Sequence, residues 1–192
     1  MFTNQIKMPK KNFLKPAFLL FLAAGLLSSC DKNDDEQEPE NESELITTVM
    51  LMMQEVGTAN TVTATFRDPD GDGGNAPVQF DEIVLKPNTV YNTTITLMDE
   101  SKTPAENITE EIEEESADHQ FFYTPTAGLN VSVAYQDKDA NNLPIGLETT
   151  VTTGAASTGK LNVTLKHQPG IKNNNIAIGE TDVELDFTTT VQ

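Results

Sequence analysis

From Leu45 to the end of the chain, apolar side chains alternate with Thr, Ser, Asn or acidic residues at a period of two. Val62, Ala64 and Phe66 alternate with Thr61, Thr63 and Thr65. Tyr91, Thr93, Ile95 and Leu97 share one phase, as do Val131, Val133 and Tyr135. Leu161, Val163 and Leu165 repeat the pattern, and Val183, Leu185, Phe187 and Val191 set it against Glu184 and Asp186. Successive side chains of a strand point to opposite faces, so this period predicts strands with one face buried. The runs are cut by FRDPDGDGGNAP, LKPNT, YQDKDANNLP, TTGAASTGK and KHQPGIKNNN, segments rich in turn-building residues. About nine strands joined by tight loops predict an all-β fold, a single Greek-key, immunoglobulin-like β-sandwich over residues 44–192. One stretch breaks the pattern. Asn107 with Glu110 has the form of a capping box, and the acids that follow suit a helix N-terminus. A short acidic helix is expected there, either as a patch for cations or a basic partner or as a solvated connector.

Before Leu45 the pattern is different. Met1 to Lys15 contains Lys7, Lys10, Lys11 and Lys15 and no acid, and Ala17 to Leu27 is an unbroken apolar run of eleven residues. As a helix that run rises only about 16 Å, too short for ~30 Å of hydrocarbon, and the combination reads as a secretory signal. It ends in Leu27-Ser28-Ser29-Cys30, which resembles the lipobox of bacterial lipoproteins. The resemblance implies removal of residues 1–29, a diacylglycerol on the Cys30 thiol and an acylated amino terminus. Residues 30–43 then comprise the lipidated Cys and an acidic tether. Asp31 to Ser43 has seven acids, one lysine and no large apolar residue, and is expected to be disordered. An acidic run after the lipidated Cys is similar to the export signal of surface lipoproteins in the Bacteroidota, although Asn33 separates Lys32 from Asp34-Asp35-Glu36. That resemblance implies an outer-membrane, lipid-anchored protein at the cell surface.

Charge narrows the classes. Twelve basic groups against thirty acids give a net charge of −18, which excludes nucleic-acid binding by phosphate neutralisation. Loss of residues 1–29 would remove four lysines and no acid, leaving 163 residues at net −22. An anionic bilayer would repel such a chain, so the membrane contact is expected to be the lipid itself. One Cys and two His leave no disulfide framework and no cysteine–histidine zinc site.

Leu85-Lys86-Pro87-Asn88-Thr89-Val90-Tyr91 resembles the L-x-P-x-T-x-Y tyrosine corner of fibronectin type III and related sandwiches. The resemblance implies structural roles for Leu85, Pro87 and Tyr91, with the Tyr91 hydroxyl bonded to upstream backbone. ELITTV, DPDGDGGNAPV, PAENITEEIEEESADHQFFY, GLETTVTTGAASTGKLNVTLKHQPG and GETDVELDF together resemble a family of small Bacteroidota lipoproteins. Some members are described as having a type 1 periplasmic binding fold. That description implies two α/β lobes and about twice this length, whereas the period here implies neither.

Two loops carry calcium-like spacing. Asp68, Asp70 and Asp72, with Gly73 sixth, match the start of an EF-type loop, though Gln79 stands where the bidentate Glu is expected. Asp137, Asp139 and Asn141 take the same positions in the second loop, with Glu148 twelfth and Asn142 sixth. Asp, Asn and Gly are also simply what β-turns use. Calcium is therefore a candidate cofactor, alongside the covalent lipid on Cys30. Catalysis has little support: Glu115, Asp118 and His119 form a local acid–His cluster, and His167 reads as a strand-end surface group. The expected role is non-catalytic, a surface binding, adhesion or accessory module with an unidentified protein or glycan partner. Phe121-Phe122-Tyr123 is the dense aromatic cluster, which a glycan-binding component or a strand edge buried against the acidic helix would explain equally, and a hydrolase is the third class.

Overall fold

A computed structural model describes residues 45–71 and 73–192, which belong to one compact unit, Asn41–Gln192. The leader, Cys30, the acidic tether and Asp72 lie outside the described residues.

The alternating runs form strands wherever several turns of the pattern persist. These are β1 (Thr48–Glu55), β2 (Thr61–Arg67), β5 (Val90–Asp99), β7 (His119–Pro125), β8 (Val131–Tyr135), β9 (Glu148–Thr153), β10 (Ser157–His167) and β11 (Glu180–Val191). Three short strands complete the set: β3 (Gln79–Phe80), β4 (Ile83–Leu85) and β6 (Glu106–Asn107). They build an all-β sandwich. One sheet has seven strands in the order β3-β2-β1-β5-β9-β8, with β6 also paired to β5, and the other runs β4-β11-β10-β7. All pairs are antiparallel except β4 with β11. The eleven strands exceed the expected nine because β3 and β6 have two residues each, too few to show an alternation.

Register places the apolar phases opposite one another. Leu51 faces Ala64 on one side and Ile95 on the other. In the second sheet Val163 lies between Leu185 and Tyr123. The two inner faces meet in a core that includes Val49, Leu51, Leu97, Phe121, Val163, Leu165 and Phe187, all buried. Burying such side chains contributes roughly 1.5–3 kcal/mol each. The acidic helix, α1 (Ile108–Glu114), links β6 of one sheet to β7 of the other. Asn107 caps it by accepting from the Thr109 N–H, and its amide donates to Glu110. Ile108 and Ile112, one turn apart, bury their side chains while the acids face outward. Among the described residues no helix is long and apolar enough to cross a membrane.

The side of the sandwich formed by β7 and β8 is sealed by tyrosines. Tyr135 Oη donates to the Phe121 carbonyl at 2.9 Å and Tyr123 Oη to the Gly146 carbonyl at 2.7 Å. The Phe121 N–H donates to Ile145 O at 2.7 Å. Open strand edges invite pairing with other chains, and here the β7 edge is met by the Tyr135 hydroxyl and the Ile145 carbonyl.

Candidate functional site

At the end of the second sheet, the inner face of β10 continues past Leu161, Val163 and Leu165 to His167. On β7 the same face runs from Tyr123 and Phe121 back to His119, which sits directly opposite His167. The apolar ladder thus ends in two imidazoles. Their rings stack 4.5 Å apart with planes 15° from parallel, and both residues are buried, at 4% and 7% exposure. Glu115, the C-cap of α1, reaches the pair from above: its carbonyl lies 3.3 Å and its carboxylate 3.9 Å from His119 Nδ1. One ligand atom from each of Glu115, His119 and His167 lies within 4.8 Å of the others. Burial pushes the His119 imidazole below its usual pKa, and the neighbouring His167 adds to this. The expectation for His167 is corrected: it is buried, because it stays in phase with the inner face where the apolar residues stop. That phase, read two residues beyond Leu165 and two before Phe121, was the available signal.

The loop between β10 and β11 folds across this end. Gln168 N–H donates to Asp118 O at 2.6 Å, and its side-chain amide donates to Asn175 O and Ile178 O. Gly179, at φ +75, lies so close to the His167 carbonyl that a Cβ there would collide with it. Lys172 is the central tie. Its ammonium donates to Ser116 O at 2.7 Å and pairs with Asp139 at 2.9 Å, with the two side chains 2% and 0% exposed. Nothing in the alternating pattern marks Lys172, because it lies in an Asn-rich turn.

This pair defines the second Asp-x-Asp loop. Asp139 Oδ1 accepts from the Asn141 and Leu143 N–H groups, and Oδ2 faces Lys172. Burial opposes the Asp139 charge, but Lys172 and these N–H donors outweigh it and hold the carboxyl below the usual range. Asp137 accepts from Gly146 N–H and Glu148 N–H, one on each oxygen. Asn142 takes a left-handed conformation, at φ 63, which Asn adopts more readily than most residues. Asn141 and the Glu148 side chain are exposed, and Glu148 begins β9. The carboxylates of this loop therefore bind their own backbone and one lysine.

In the first loop Asp70 Oδ2 accepts from both the backbone and side-chain nitrogens of Asn75, at 2.8 and 2.7 Å. The Asn75 N–H is the largest cause of its lowered pKa. Asp68 is buried and lines a cavity of about 340 Å³ with Phe66, Asp182 and Glu184. Burial pushes the Asp182 carboxyl up to about 6. Asp72 lies outside the described residues.

Around Tyr91 the ring is buried, and Leu85 is buried beside it in the core. Lys86 N–H donates to Tyr91 Oη at 2.9 Å, so the hydroxyl acts as acceptor. Pro87 O accepts from the Thr89 hydroxyl within the same turn. Of the aromatic cluster, Phe121 and Phe122 are buried and Tyr123 is half-buried with its hydroxyl engaged. Phe80 is the exposed aromatic among the described residues, packed edge-on against Phe66 and Phe187.

Comparison with protein-family models, curated proteins and solved structures finds no match.

Proposed function

We propose that the chain is a non-catalytic cell-envelope protein: a β-sandwich binding or accessory module anchored by lipid on Cys30 and held off the outer membrane by residues 31–43. The observation that supports this reading is the order of the segments. A basic leader and short apolar run end at Leu27-Ser28-Ser29-Cys30, an acidic segment follows, and β1 begins at Thr48. Two or more acyl chains suffice to hold a protein on a bilayer, whereas this net charge would otherwise drive it away. Cys30→Ser tests it in cell fractionation. The parent chain is expected with the envelope and the variant in the soluble fraction; a variant that still sediments with envelopes contradicts the reading.

The first loop is the better place for calcium, since Asp68 shares a cavity with Asp182. In the second loop an ion would have to displace Lys172 from Asp139. A rise in melting temperature with millimolar calcium, lost in Asp68→Asn, supports binding there, since a ligand specific to the folded state stabilises it. An unchanged melting temperature removes calcium from the account. A glycan partner would have to use a surface other than Phe121-Phe122-Tyr123, whose first two rings are buried.

A further inference from the structure

We propose that Glu115, His119 and His167 bind one divalent transition-metal ion, with zinc the ion that best suits the donors. The chain has two histidines, and the fold brings both to one place, face to face on adjacent strands. Two imidazoles and a carboxylate are a nitrogen–oxygen set that suits zinc, whereas calcium prefers oxygen alone. The side-chain carboxylate of Glu115 is 53% exposed while the imidazoles are buried, so the glutamate stands at the entrance of the site. Tetrahedral zinc with ligands at 2.0–2.1 Å separates its donors by about 3.4 Å. The three donors, within 4.8 Å of each other, must therefore close by about an ångström, and the two imidazole planes, 15° from parallel, must turn so that their lone pairs converge on the ion. A water completes the shell. The ligands come from the C-cap of α1, the first residue of β7 and the last residue of β10, so the ion would clamp the α1–β7 turn to the end of the second sheet.

This inference is independent of the lipid anchor and is tested on the full chain, purified in detergent and stripped with chelator. Zinc chloride is titrated at neutral pH by calorimetry, and the two imidazoles are followed by nitrogen-15 NMR, where only two rings give signals. The expected result is one zinc per chain with both imidazoles shifting together. Replacing the exposed ligand, Glu115→Gln, is expected to weaken binding by at least about 10-fold, the lower end of what even a supporting residue contributes to a metal site. That variant leaves the buried pair and the fold in place. Zinc uptake that leaves both ring signals unmoved would place the metal on the acidic surface and overturn the proposal. Absence of binding would do the same, leaving the stacked pair as packing, and so would binding indifferent to Glu115→Gln.

Discussion

Lys172 and Asp139 show how much can depend on two side chains that are almost wholly removed from water. Removing one partner of a buried pair leaves the other charge uncompensated, so Lys172→Met is expected to destabilise the fold by about 3–5 kcal/mol. Adding Asp139→Asn should recover much of that loss, because the stranded carboxylate is then gone; urea denaturation of the two variants measures it. Tyr91→Phe removes the acceptor of the Lys86 N–H and is expected to lower stability by about 1 kcal/mol, seen as an earlier denaturation midpoint. This contact joins Lys86 and Tyr91, five positions apart, and so was within reach of a local reading. Lys172 was not, since its partners Ser116 and Asp139 come from distant loops. His119 and His167 lie between these cases: each is in phase with its strand, but only the β7–β10 register makes them a pair.

Among the elements, β7 and β8 are sheet edges joined by the Tyr135 hydroxyl rather than by a ladder, while the Tyr123 hydroxyl ties β7 to Gly146 in the loop before β9. Tyr135→Phe removes the donor to Phe121 O. Backbone amide exchange in β7 is then expected to quicken while exchange in β1 and β5 stays as before, because local opening need not involve the remainder of the fold. Uniform acceleration across all three strands would show that the hydroxyl supports global stability instead. The helix rests on Ile108 and Ile112, and Ile112→Ala should cost about 2–5 kcal/mol in thermal or chemical unfolding. Long strands and the helix cap were readable from local pattern alone. The parallel pairing of β4 with β11 was not, since three residues carry too little alternation and their partner lies about a hundred positions away.

For the whole molecule, the sandwich follows from period-two burial repeated along most of the chain, and that much needed no tertiary information. Its acid stability depends on contacts across strands. Arg67 and Thr48 hold the Glu100 carboxyl at about 2, below its ordinary 4.5. A carboxyl lowered on folding stabilises fully above its unfolded value and loses that contribution as pH falls toward the folded one. Stability is therefore expected to drop between about pH 4.5 and 2, with a shallower drop in Glu100→Gln, as denaturation midpoints across that range would show. The proposed envelope role rests instead on the order of the segments along residues 1–43. Mass spectrometry of the amino-terminal peptide of chain purified from envelopes tests it most directly. The expected peptide begins at Cys30 and carries acyl groups on its thiol and amine; a peptide retaining residues 1–29, or an unmodified Cys30, would contradict the lipid anchor on which that role depends.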